Sequence, residues 1–453
     1  MRTYVKIAWG VVGVVLFGAL LMKAGSGERA SAQMTTPPEH MLPNITPVSL
    51  LRQIIPDTGP NAEQLRRGQY LVAAGDCMSC HLRDDGEPLA GGLGLNTPFG
   101  TIYSSNITSD RETGLGGWTN QQFYRAMHDG VGSQGQNLYP AFPYPWFRRM
   151  SRADTDAILA YLKTTPPVSY TPPKNKLHFP LSFRPMVKGW NLLYLKGAEF
   201  QANPAQTPEW NRGAYLVNGP GHCSGCHTPK GRLGEDLSTR PFYGGDLESW
   251  VAPDLTANAR SGLGGWGLED VTEYLKTGRN SHAGAAGAMA DVVTYSTSLL
   301  SDEDRHAIAI YLRSLPPSPA RANDAPQAAT MSRGAAIYSD ACASCHLENG
   351  VGQPRYFPPL QHNAMLQQTD ATGLEHLILA GGRIGSTPSR PSPLTMPSFA
   401  WKLSDQEIAD VATYIRNSWG NEAPAIAAND VTQLRTRLGL TSRRPTANSG
   451  DWQ

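Results

Sequence analysis

All six cysteines of this 453-residue chain fall into three copies of one pattern, C-x-x-C-H. The copies are Cys77-Met78-Ser79-Cys80-His81, Cys223-Ser224-Gly225-Cys226-His227 and Cys342-Ala343-Ser344-Cys345-His346. This spacing lets one helical turn present two thiols for thioether bonds to porphyrin vinyl groups and an imidazole that holds iron from one face. Zinc sites and thioredoxin-like pairs also use closely spaced cysteines. Here, though, each motif stands alone at the C-terminal end of a predicted helix, with no second cysteine pair nearby. The motifs predict three covalently bound haem c groups. Cys77, Cys80, Cys223, Cys226, Cys342 and Cys345 are the anchors, and His81, His227 and His346 the proximal iron ligands.

The surroundings repeat as well. Arg-Gly opens an amphipathic stretch before each motif, at Arg67-Gly68, Arg212-Gly213 and Arg333-Gly334, with 10, 11 and 9 residues from Arg to the first cysteine. Ser151, Ser301 and Ser404 each stand three residues before an acid, the S-x-x-D/E signature of a helix start. Apolar residues follow at +7, +10 and +11 in every copy: Ile158, Tyr161, Leu162; Ile308, Tyr311, Leu312; Val411, Tyr414, Ile415. That spacing is one helical face, so each unit closes with a helix that packs on its opening one. Units one and two also share Ser105-Asn106-Ile107-Thr108 with Gly114-Leu115-Gly116-Gly117-Trp118, and Pro253-Asp254-Leu255-Thr256 with Gly262-Leu263-Gly264-Gly265-Trp266. The third unit lacks this insertion.

These boundaries predict units at 60–166, 209–317 and 331–420, linkers at 167–208 and 318–330, and a polar, peripheral tail at 421–453. The first linker carries aromatic and aliphatic residues between Phe179 and Tyr194, a composition that favours packing between domains over display to a partner or membrane. At the start, Arg2 and Lys6 precede an uncharged apolar run, Ile7–Met22. As a helix it would reach about 24 Å, against a hydrocarbon core of roughly 30 Å. With Ala30-Ser31-Ala32 following, residues 1–32 read as a secretory signal peptide or a membrane anchor. Either places the remainder on the periplasmic face of the bacterial cytoplasmic membrane. Lys+Arg (39) nearly balances Asp+Glu (38), which leaves no basic footprint for nucleic acid.

Methionine or histidine is the usual sixth ligand in electron-transfer haems. Met396, beside Pro397 in a loop before the third closing helix, and Met289, in the Gly/Ala-rich loop Gly284–Ala290, are the candidates. The first unit differs: its loop Leu138–Pro145 has Phe142 where a methionine is expected. Met150 reads as a helix-start staple, Met127 as core and Met78 as trapped in the attachment turn, leaving His128 a lesser candidate.

Gly75-Asp76-Cys77, Asn106-Ile107-Thr108 with Gly116-Gly117-Trp118, Tyr139-Pro140-Ala141-Phe142-Pro143, and Glu209–Leu216 leading to Gly221-His222-Cys223 together carry a resemblance. From about residue 60 to 420 the chain resembles the trihaem cytochrome c subunit of membrane-bound bacterial dehydrogenases of the alcohol, aldehyde and gluconate type. The resemblance implies an all-α fold of three tandem class I cytochrome c domains behind the N-terminal signal or anchor. It implies a partner catalytic subunit of quinoprotein, molybdenum or flavin type, and electron delivery to ubiquinone or a terminal oxidase at the cell membrane. Alcohol dehydrogenase members carry Met where Phe142 stands, which tilts the expectation towards the molybdenum-linked branch. No dinucleotide fingerprint, zinc-protease motif or triad is present, so the chain reads as an electron-transfer subunit rather than a catalyst. The alternatives are a peroxidase-like enzyme with an open iron face at haem one and a haem-based gas sensor.

Overall fold

The repeated Arg-Gly pair finds its explanation in how each unit closes. In the computed structural model, which describes residues 59 and 61–440 apart from 248, 321 and 322, each opening helix crosses the closing helix of its own unit. The pairs are Ala62–Ala74 with Arg152–Leu162, Pro208–Asn218 with Asp302–Arg313, and Ala328–Ala341 with Asp405–Ile415. The glycine marks the crossing. A Cβ on Gly68 would lie 2.0 Å from the Ala157 carbonyl oxygen, one on Gly213 1.9 Å from that of Ala307, and one on Gly334 2.3 Å from that of Asp410. Only a residue without a side chain lets the backbones approach so closely.

The arginine beside it ties the same pair of helices electrostatically. Arg67 bonds Asp154; Arg212 makes a two-pronged contact with Asp304 at 2.8 and 2.7 Å; Arg333 does the same with Asp410 at 2.6 and 3.0 Å. Ser151, Ser301 and Ser404 cap as the sequence predicts, each hydroxyl accepting from the backbone N–H three residues on. The acids then diverge. Asp154 and Asp304 take the opposing arginine, whereas Glu407 reaches back to the Ser404 N–H and completes a capping box, leaving Arg333 to Asp410 one turn later. The predicted +7 and +11 residues are buried in all three closing helices.

Three expectations need correction. The fold is helix-rich but not all-α: Gly94–Thr97, Gly100–Tyr103 and Lys176–Leu177 form an antiparallel sheet, and Gly245–Leu247 with Trp250–Ala252 and Gly382–Arg383 with Thr395–Met396 form hairpins. These strands occupy loops too short for a helical period to reveal them. The polar tail is not peripheral, because its helix Ala428–Arg437 docks on the third closing helix with Val431 and Leu434 fully buried. In the first linker, the helix Pro185–Tyr194 buries Val187 while Phe179, Phe183, Leu192 and Leu193 stand exposed. The predicted signal or anchor, residues 1–32, lies outside the described residues.

Units one and two form a reciprocal pair. Tyr70, from the first opening helix, donates to Asp304 of the second unit at 2.5 Å; Tyr215, at the matching position, donates to Asp154 of the first. Each tyrosine thus joins the arginine–aspartate contact of its neighbour. Unit three has Ala336 at that position. It packs instead against unit two through Trp250 stacked on His376 at 4.0 Å and through Asn363, which donates to the His282 carbonyl.

Candidate haem sites

Each C-x-x-C-H motif ends in a short helical turn: Cys77–His81, Ser224–His227 and Ala343–His346. Gly75-Asp76 and Gly221-His222 lead into the first two, with Asp76 and His222 in left-handed conformation. None of the six cysteines is joined in a disulfide, and the first of each motif packs on the core of its own unit. Burial pushes the thiols of Cys77, Cys80 and Cys223 up to about 12 and that of Cys342 to about 11.

The histidines share one arrangement that the sequence does not disclose. His81 Nδ1 donates to the Ser105 carbonyl at 2.6 Å, His227 Nδ1 to the Pro253 carbonyl at 2.7 Å, and His346 Nδ1 to the Pro358 carbonyl at 3.0 Å. A carbonyl can only accept, so Nδ1 carries the proton and Nε2 keeps its lone pair for a metal. Burial holds all three imidazoles below their ordinary pKa, in the neutral form that ligation needs. In units one and two the accepting carbonyl is the first residue of the shared Ser105–Thr108 and Pro253–Thr256 stretches. Asn106 and Asp254 fold those stretches back, each side chain accepting from the N–H two residues on, Thr108 and Thr256. The insertion is therefore the platform that orients the imidazole. Unit three, without it, uses Pro358.

Among the described residues no three His, Cys, Asp or Glu side chains converge as one ion would require. Two thiols and one imidazole that do not share a focus suit a macrocycle held at its edge and its iron separately. The residues present fit haem c.

Phe142, Met289 and Met396 each pack, partly buried, against the same core as the first cysteine of their unit. Met289 lies in the first turn of the helix Ala288–Tyr295 rather than in a loop, and Met396 in a two-residue strand. The glycines around Met289 serve protein neighbours: Gly287, at φ +56°, lies against Trp250, and Gly284 against Ile384 and Pro358. Met150, Met127 and Met78 are buried core residues. His128 is buried and stacked on Tyr124 at 3.9 Å, with burial pushing its imidazole down to about 4.

Sites one and two abut. Trp146, four residues after Phe142, donates to the Ser224 hydroxyl at 2.5 Å inside the second attachment turn, while Phe147 meets His222 edge-on at 5.5 Å. Reciprocally, the Met289 helix packs on the first attachment turn. The loop before that helix reaches unit three, where a Cβ on Gly284 would meet Pro358, whose carbonyl holds His346, at 3.3 Å. Unit two is thus the middle of the row.

A family model for cytochrome c matches residues 65–166, 211–316 and 331–419. The chain is similar to the cytochrome c subunit of the quinone-type alcohol dehydrogenase of Gluconobacter oxydans, 39% identical over 82% of each chain. It is likewise similar to the gluconate 2-dehydrogenase cytochrome c subunit of Pantoea cypripedii, 38% identical over 84% of this chain and 91% of that one. The fructose dehydrogenase cytochrome subunit of Gluconobacter japonicus is 34% identical over 92% of this chain and 87% of its own length.

Proposed function

The chain belongs to the cytochrome c family, and from that premise we propose that it binds three haem c groups and relays electrons from a dehydrogenase catalytic subunit to ubiquinone or a terminal oxidase. We place this relay on the periplasmic face of the cytoplasmic membrane. One observation carries the reading: the thrice-repeated imidazole whose Nδ1 proton is fixed on a backbone carbonyl, in a turn with two cysteines that form no disulfide. Bound haem c would supply one-electron exchange at iron. The chain's own part is to anchor, orient and enclose: Cys77/Cys80, Cys223/Cys226 and Cys342/Cys345 hold, and His81, His227 and His346 ligate. Met289 and Met396 complete the second and third sites. Phe142 leaves the first without its methionine and favours a partner of the molybdenum-dependent aldehyde or N-heterocycle kind over a quinoprotein alcohol dehydrogenase. The relatives, named as dehydrogenase subunits, do not favour a peroxidase-like enzyme with an open iron.

The test is to isolate the chain from gently solubilised native membranes, count covalent haem per chain, and identify the cofactor of whatever co-purifies. Three haems and a partner that reduces them with its own substrate are expected. A solitary chain whose ferrous form binds carbon monoxide would overturn the relay. In the same material Met396→Ala should lower one haem potential and remove its iron–sulfur absorption; an unchanged spectrum refutes that ligand.

A further inference from the structure

Between units one and two the chain exposes apolar surface on a rigid support. The helix Pro185–Tyr194 is fixed by one face. Val187 is buried, the Trp190 indole donates to the Leu233 carbonyl at 3.0 Å, and Asn191 accepts from the Tyr144 hydroxyl at 2.6 Å. The turn before it is pinned too, with Tyr139 donating to the Leu181 carbonyl at 3.0 Å and Arg184 to that of Asn137 at 2.9 Å. Lys188 and Leu192 lie one helical turn apart, away from these contacts, with Leu193 beside them, and Lys196 follows just past the helix end. Leu192 is 87% exposed, Leu193 58%, Phe183 59% and Phe179 83%. Because the backbone beneath is tied to both neighbouring units, this exposure is built in rather than a frayed end.

Along the segment itself the charge has one sign. From residue 171 to 198 the chain has Lys174, Lys176, Arg184, Lys188 and Lys196 and no Asp or Glu, although the whole chain is nearly balanced at 39 against 38. All five cations are exposed, and among the described residues none forms an ion pair with a carboxylate. A helix lying flat with leucines outward and lysines flanking them has the chemistry of an interfacial element. Its apolar side chains enter the acyl boundary, while lysine stems follow them and place ammonium groups at the phosphates.

We propose that Phe179–Lys196 is a docking surface for an anionic phospholipid bilayer. The cationic rim complements the lipid phosphates, and the exposed leucines and phenylalanines complement the hydrocarbon beneath them. Docking here would hold the abutting first and second sites at the membrane surface. The proposal deepens the relay reading and rests on it only in placing the chain beside a membrane.

Hydrogen–deuterium exchange of the full-length haem-loaded chain tests this locally, whatever residues 1–32 do. The comparison is between detergent, phosphatidylcholine vesicles, and vesicles of phosphatidylethanolamine with phosphatidylglycerol. Peptides covering 179–196 should exchange severalfold more slowly on the phosphatidylglycerol vesicles alone. High salt should weaken that protection, and Leu192→Ser with Leu193→Ser should abolish it. Lys188→Glu with Lys196→Glu should do the same, with the haem spectrum of both variants intact. Equal exchange in all three media overturns the proposal, as does protection that appears only when the catalytic subunit is added, which would give the surface to that protein. An intact three-haem spectrum in the same samples leaves the relay reading standing under either outcome.

Discussion

Units one and two are two halves of a pair; unit three is a self-capped single. The same building block, with its Arg-Gly crossing and carbonyl-held histidine, is stabilised differently in the two settings. In the pair, Asp154 and Asp304 each serve an arginine of their own unit and a tyrosine of the other. In unit three, Asp410 serves Arg333 and Gln406 within the unit, Glu407 is taken by the capping box, and the extra helix Ala428–Arg437 covers the closing helix. Losing the tyrosine at position 336 thus coincides with gaining internal closure. A domain outside the tyrosine exchange compensates with its own cover.

Damage should therefore spread within the pair and stop at unit three. The largest effect should come from the crossing glycines. Gly68→Ala forces a Cβ to within 2.0 Å of a backbone oxygen that no rotamer change can move. A loss above about 4 kcal/mol is expected, in the range reserved for severe core defects. Gly68→Ala should remove haem from sites one and two together, whereas Gly334→Ala should remove only the third. Haem counts and site-resolved melting of the two variants check this; loss of site one alone in Gly68→Ala would break the pair description.

A pH series sharpens the comparison from the other side. Glu375, on the helix Thr372–Ala380 of unit three, is only 4% exposed, and burial, with Asp430 and Asp370 nearby, pushes its carboxyl up to about 7. A folded pKa above the ordinary 4.5 means that the fold favours the protonated acid. The stabilisation is full below pH 4.5 and disappears as pH rises through 7. At about 1.4 kcal/mol per unit, the swing is about 3 kcal/mol. Glu375→Gln should flatten the third transition between pH 4.5 and 7 and leave the other two with whatever dependence they have. Denaturation followed at each haem reads this directly, and a third transition that keeps its slope in the variant removes Glu375 from the account.

How much of this is written in the sequence depends on period and distance. Opening and closing helices, caps and attachment turns are legible because their signals are local: a serine three residues before an acid, apolar residues at i, i+3 and i+4. The three motif histidines are legible because the C-x-x-C-H spacing singles them out. The carbonyls that orient them are not, since Ser105 lies 24 residues from His81 and nothing in its side chain marks it. Met289 reads as a loop residue because the glycines before it mask a helix that starts at Ala288. The tail reads as peripheral because Val431 and Leu434 are too sparse an apolar stripe to register against Asn429, Asp430 and the arginines. Tyr70 and Tyr215 look like ordinary members of an amphipathic face; only the fold reveals that they point across a boundary.

Those two tyrosines give the finest test of the pair. Burial and the neighbouring carboxylate hold Tyr70 up at about 12, so its hydroxyl stays a donor, and Tyr215 is raised for the same reasons. A hydrogen bond to a charged carboxylate contributes about 2 kcal/mol. Tyr70→Phe removes one such bond and leaves Arg212 to satisfy Asp304; Tyr215→Phe does the mirror image. Each change alone should lower the shared transition of units one and two by about that amount. Both together should go further, because nothing else in the exchange then crosses the boundary, and the first and second haems should begin to melt separately. Unit three supplies the control within the same chain: Ala336→Tyr, at the matching but exposed position, should change stability by less than about 0.5 kcal/mol. If the double phenylalanine variant still melts its first two sites as one, the aromatic contacts of Trp146 and Phe147 hold the pair and the tyrosines merely decorate it.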